Sequence, residues 1–203
     1  MCTALQQNKD TAFLDLSQMS VLVVDSDHYA QEMLNQIMRG FGLREHLAAE
    51  SGEAAKNILG RHKFELAIVE GILPDMLGAD LVKWMRQHSD ATVRYLPIIV
   101  LTGLTTKRNV EMSRDCGANT IVCKPISSSV LFDHIVWSAA SDRSFVETTS
   151  YVGPDRRFRS LGPPEGVGRR STDLSPEIGN ASEPNLLQSE IDSLIKPVKM
   201  SLD

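Results

Sequence analysis

No apolar run in this chain of 203 residues approaches the roughly 20 residues that a membrane helix needs. Residues 1–17 hold no basic start followed by an apolar stretch, so no secretory signal is read there. Together these absences lead us to expect a soluble, cytoplasmic protein with no membrane partner. Cysteine is scarce. Cys2, Cys116 and Cys123 are odd in number and lack metal-ligand spacing, which is the usage of free thiols in a reducing compartment. There is no Gly-rich phosphate loop, no Cys/His cluster and no nucleophile elbow, and His28, His46, His62, His88 and His134 are scattered over separate segments. No independent enzyme is expected. Nor is positive charge in excess: a net charge of -5 and a pI near 5.6 argue against nucleic-acid binding by the chain as a whole.

What is present is an alternation. Short runs rich in Val and Ile at 21–24, 66–69, 96–101 and 120–123 read as strands buried on both faces. Residues 43–48, of mixed polarity, suit an edge strand. Between them lie segments of helical period at 30–41, 51–59, 77–87, 105–116 and 127–140. Gly60 and Gly117 are placed to end the second and fourth of these helices. Five βα units in residues 18–140 predict a five-stranded, doubly wound parallel sheet with helices on both faces. In such sheets functional groups gather at the carboxyl ends of the strands. Asp25, Glu70, Thr102 and Lys124 all stand at predicted strand ends.

Beyond residue 140 the composition changes. Seven of the sixteen residues at 153–168 are Gly or Pro, which no helix or central strand tolerates. Arg156, Arg157, Arg169 and Arg170 make this stretch basic, whereas residues 171–203 carry six acids against two lysines. Residues 141–203 therefore read as a flexible, largely disordered tail, following an arm at 1–17 and a domain at 18–140. One helix is predicted within it, at 185–196. Asn185 would cap it, and Leu187, Ile191, Leu194 and Ile195 would share a face. So short a helix is marginal alone in water and needs a surface to lie on.

Four pieces in order carry a resemblance: Val21-Leu22-Val23-Val24-Asp25, Phe64-Glu65-Leu66-Ala67-Ile68-Val69-Glu70, Leu101-Thr102-Gly103 and Cys123-Lys124-Pro125. Together they resemble the receiver domain of two-component response regulators, over roughly residues 18–140. In that family two acids after the first strand and an Asp after the third bind magnesium, and that Asp accepts a phosphoryl group from a histidine kinase. A Thr or Ser after the fourth strand and a Lys before Pro contact the phosphoryl oxygens. The resemblance assigns the acidic pocket to Asp25, Ser26 and Asp27, the phosphoacceptor position to Glu70 and the phosphate contacts to Thr102 and Lys124.

The chain departs from the family pattern at two of these places, Ser26 and Glu70. Ser26 stands where the second acid belongs, which weakens a magnesium site resting on Asp25. Asp27 opens the first helix, where capping is its expected role. Glu70 is one methylene longer than Asp, and misplacing an attacking oxygen by an ångström can cost on the order of a hundredfold in rate. A permanent Glu70–Lys124 ion pair would partly mimic a phosphorylated Asp. The fifth strand, Thr120-Ile121-Val122-Cys123, has no aromatic ring for the family's inward-turning switch, and Ile121 takes that position.

The resemblance thus implies a stand-alone, degenerate receiver. It would act as a monomer or weak dimer on a histidine kinase, a phosphotransfer protein or another regulator. Its binding surfaces would be the first helix and the face of the fourth and fifth strands and helices. One alternative keeps phosphoryl acceptance, with magnesium on Asp25 and Asp27. Another makes the arginine-rich stretch a nucleic-acid or partner-binding arm, similar to the extension of some stand-alone receivers. Tyr151-Val152-Gly153-Pro154-Asp155-Arg156-Arg157 carries that likeness.

Overall fold

The computed structural model describes residues 16–140, 144–148, 151–155 and 186–195. Its elements in chain order are β1 (Ser20–Val24), α1 (His28–Gly40), β2 (Glu45–Ala49), α2 (Gly52–Leu59), β3 (Leu66–Glu70), α3 (Gly78–Arg86) and α4 (Ala91–Arg94). Then follow β4 (Ile98–Thr102), α5 (Lys107–Asp115), β5 (Thr120–Cys123), α6 (Ser128–Ala140), β6 (Phe145–Glu147), β7 (Val152–Pro154) and α7 (Gln188–Ile195). The five predicted strands pair in parallel in the order β2-β1-β3-β4-β5. The fold class is as expected.

Successive side chains of a strand point to opposite faces, so an all-apolar strand builds two cores at once. Leu22, Val24, Ala67, Val69, Ile98, Val100 and Ile121 pack with α2, α3 and α5 through Leu59, Leu81, Met85 and Val110. Val21, Val23, Ile68, Ile99, Leu101 and Val122 pack on the other side with Leu34, Met38, Leu131 and Ile135 of α1 and α6. The direction of strand addition reverses between β1 and β3. Asp25 and Glu70 lie on either side of that reversal, where α/β sheets open a crevice.

Helix boundaries follow local chemistry. Asp27 caps α1, accepting from the Tyr29 and Ala30 amides at 2.9 and 3.4 Å. Ser51 caps α2 through Ala54 N–H at 3.1 Å. Gly117, as expected, stops α5, and its φ of +101° is one that other residues rarely adopt.

Two elements depart from the sequence reading. The first is α4, a single turn capped by Asp90, too short to leave a periodic signal. The second is an antiparallel hairpin of β6 and β7, in register Phe145↔Pro154 to Glu147↔Val152, inside the stretch read as tail. Gly153 and Pro154 are breakers in isolation, but three-residue strands need little propensity when a surface receives them. Here Phe145 meets the Tyr95 ring edge-on at 5.1 Å, and the Arg86 guanidinium carbon lies 5.1 Å from the Phe145 ring centroid. Glu147 accepts from Tyr95 Oη at 2.5 Å and pairs with Arg94 at 3.4 Å. A Cβ on Gly117 would lie 2.4 Å from the Val152 carbonyl oxygen, so this close approach requires glycine.

The predicted helix at 185–196 is α7, beginning at Gln188. Glu190, in its first turn, folds back to accept the Leu187 N–H at 2.8 Å. Asn185, Arg156, Arg157, Arg169 and Arg170 lie outside the described residues. No helix among the described residues is long and apolar enough to cross a membrane.

Candidate functional site

At the carboxyl end of β1, Asp25 is 2% exposed. Its Oδ1 accepts from the Asp27 N–H at 2.9 Å, and its Oδ2 meets Lys124 Nζ at 3.0 Å. The same ammonium contacts Glu70 Oε2 from the end of β3. Burial pulls the Lys124 pKa down, but the bonds and charges of Glu70 and Asp25 outweigh it and hold the pKa above the ordinary lysine value. Lys124 is therefore a fixed cation between two carboxylates. Its own N–H donates to the Thr102 carbonyl at 2.9 Å, which seats the β5 end beside β4.

The remaining sequence-assigned residues divide. Thr102 is buried, and its hydroxyl oxygen accepts from the Leu104 N–H at 3.0 Å, so it shapes the β4–α5 turn. Ser26 and Asp27 are exposed, and Asp27 is the α1 cap rather than a third acid of the pocket. Ile121 is fully buried within the core, with no part at the surface. Asp25, Glu70 and Lys124 thus meet through their side chains and Thr102 joins Lys124 through its carbonyl, while Asp27 reaches Asp25 only through its N–H, Ser26 is exposed and Ile121 lies in the core.

The loop after Glu70 is held from both sides by contacts that the sequence reading missed. Gly71 N–H donates to the Leu101 carbonyl at 2.7 Å, and Gly78 N–H to the Gly71 carbonyl at 2.9 Å. A Cβ at Gly78 would sit 2.2 Å from the Glu70 carbonyl oxygen. At the loop's outer end, the Asp75 carboxylate accepts from the Glu53 and Gly52 amides, both at 2.9 Å, which open α2. The Glu53 and Gly52 bonds hold the Asp75 pKa below its ordinary 3.8 against an opposing effect of burial. Asp75 reads in sequence only as a turn residue, because its partners lie over twenty residues away.

A folded-state pKa below the unfolded value contributes stability that is present above the unfolded pKa and lost as pH falls through the folded one. Asp75→Asn should therefore destabilise the protein at pH 7. The gap to the native chain should close as the pH drops below about 4, which urea titrations at both pH values would measure.

The family model for the response regulator receiver domain matches residues 21–136. Among curated proteins, the chain is 26% identical over 143 residues to the sensory/regulatory protein RpfC of Xanthomonas campestris pv. campestris. That match takes in 70% of this chain but only 20% of RpfC, so the chain spans about a fifth of that relative's length. It is 25% identical over 117 residues to the chemotaxis protein CheY of Pseudomonas aeruginosa, covering 58% of this chain and 93% of CheY. A solved receiver domain of a signal transduction histidine kinase from Syntrophus aciditrophicus superposes with a TM-score of 0.56 at 27% identity. It covers 66% of this chain and 99% of that one.

Proposed function

Because the chain belongs to the response regulator receiver family, we propose that it serves two-component signalling by binding rather than by accepting phosphate. The observation that carries this reading is the Asp25–Lys124–Glu70 triad. The lysine that would meet an incoming phosphoryl group already neutralises Glu70, and Glu70 stands where the family's resemblance calls for Asp. Nucleophilic attack would need that carboxylate released from its cation and shortened by one methylene. The pair instead supports a single fixed state resembling a charged, occupied site.

The donor set does not fit magnesium, which takes several oxygens in near-ideal octahedral geometry. Ser26 replaces one carboxylate, Asp27 caps α1, and both oxygens of Asp25 already have partners. No cluster of three or more His, Cys, Asp or Glu side chains placed for a metal occurs among the described residues.

The partner is a histidine kinase, a phosphotransfer protein or another regulator, bound by competition or scaffolding in the cytoplasm. On α1, Tyr29 is 82% exposed and Met33 lies one turn along and is exposed too. Two apolar groups at i and i+4 in water suit a partner helix.

Intact mass after incubation with magnesium and a small-molecule phosphodonor tests the reading. The native chain should gain no phosphoryl group, whereas Glu70→Asp with Ser26→Asp should gain one. A phosphoryl adduct on native Glu70 would overturn the proposal and restore a phosphorelay role.

A further inference from the structure

Strand β5 is the last of its sheet, and an edge strand leaves backbone donors and acceptors without a ladder partner. In this chain a side chain takes their place. Gln188 Nε2 donates to the Ile121 carbonyl at 3.1 Å, and Gln188 Oε1 accepts from the Cys123 N–H at 2.7 Å. Those two groups flank Val122. They are the pair that one residue of a sixth parallel strand would use opposite Val122. The primary amide of Gln188 is therefore a one-residue imitation of a strand.

The rest of α7 fixes this imitation in place. Leu186 N–H donates to the Thr105 carbonyl at 2.7 Å. Ile191 is fully buried in the core on the α5 side, with Leu186 packed against the same cluster. Removing such a side chain from water is a main source of the docking energy. Gln188 Nε2 also donates to Asp192 at 2.8 Å, Asp192 reaches His134 of α6 at 3.3 Å, and His134 Nδ1 bonds Thr120 Oγ1 at 2.7 Å. The edge of β5 is covered by a segment more than sixty residues distant in sequence and joined to the domain through residues 156–185.

We infer that α7 is an autoinhibitory latch that closes the β5 edge against a second copy of this chain. With α7 lifted, the edge offers an unpaired C=O and N–H beside an apolar seat vacated by Ile191. Such an edge is self-complementary: a two-fold axis beside β5 sets one copy antiparallel to the other and satisfies both. The inference is independent of the chemistry at Glu70. It also qualifies the partner surface expected from the sequence, because the β5 part of that surface is occupied here and α1 is not.

The test uses the full chain with Gln188→Ala and Ile191→Asp combined. Cys123 is partly buried and its N–H is held by Gln188 of the latch, so its alkylation rate reads the cover directly. Cys116 is buried, and burial pushes its thiol up to about 11, so it serves as a slow internal reference. Peptide mass assigns each adduct. We expect Cys123 to react at least tenfold faster in the double variant, and sedimentation velocity to show dimers absent from the native chain. Leu187→Asp, at a position 70% exposed, should change neither result. An unchanged Cys123 rate would overturn the latch. Faster alkylation with native-like sedimentation would overturn the second copy as the excluded partner. Should the double variant lose its fold, Gln188→Leu, which keeps the Ile191 contact, carries the same two readings.

Discussion

Arg86→Met should cost the fold about 3–5 kcal/mol, a large share of the 5–15 kcal/mol that holds a domain of this size together. Arg86 is 1% exposed. Its guanidinium donates to the carbonyls of Gly117, Arg94 and Leu96 at 2.9, 2.7 and 2.8 Å and to Asn119 Oδ1 at 2.9 Å. Burial lowers its pKa to about 10, which still leaves it charged at neutral pH. Methionine matches much of the volume but leaves three carbonyls without the guanidinium's donors, Asn119 Oδ1 keeping only the Ile98 N–H at 3.0 Å, and buried acceptors without partners cost about 1–3 kcal/mol each before relaxation. Arg86→Lys should recover little, since one ammonium cannot reproduce a planar fork addressing four acceptors. Urea unfolding measures both variants. Because the same guanidinium lies against Phe145, hydrogen exchange at β6 and β7 should accelerate in Arg86→Met even where β1 and β3 stay protected. A loss under 1 kcal/mol would show that the network is relieved by water.

Lys124→Met should cost about 2 kcal/mol at pH 8, a figure already reduced for the partial exposure of the lysine. Removing the ammonium leaves Asp25 and Glu70 facing each other, and like charges in one site raise a carboxyl pKa. A folded pKa raised above the unfolded one makes an acid destabilising at high pH and harmless once both states are protonated. The deficit should therefore shrink steadily from pH 8 towards about pH 4. Adding Glu70→Gln to the same chain should restore most of the loss at pH 8. A deficit that stays level across pH would assign it to lost packing of the lysine stem, and the ion triad would then contribute little to the folded state.

The legible parts of this protein are those written locally. Val21–Val24 and Ile98–Leu101 are strands because β-branched runs bury on both faces, and Gly117 ends a helix because its φ is positive. The ends of those strands then place Asp25, Glu70, Thr102 and Lys124 together with no further information. What was not legible depends on partners far along the chain. Arg86 sits on an amphipathic helix and looks like a snorkelling surface residue, yet its acceptors come from four later positions. Asp75 and Gln188 likewise spend their side chains on backbone groups of other elements. The hairpin leaves no sequence signal because three-residue strands carry no period, and Gly153, which marks a break in isolation, is what allows β7 to approach Gly117.

The closure of β5 by α7 has a consequence for the order in which the chain is made. Cys123 leaves the ribosome about seventy residues before Ile195, and at 5–20 residues per second that is an interval of roughly 4–14 s. Throughout it the sheet is complete while its last edge stands open. Neighbouring nascent chains on one messenger present the same edge at the same stage. Crowded translation is thus the moment at which this protein is most exposed to sticking to itself, and slowing initiation rather than elongation is what would spare it.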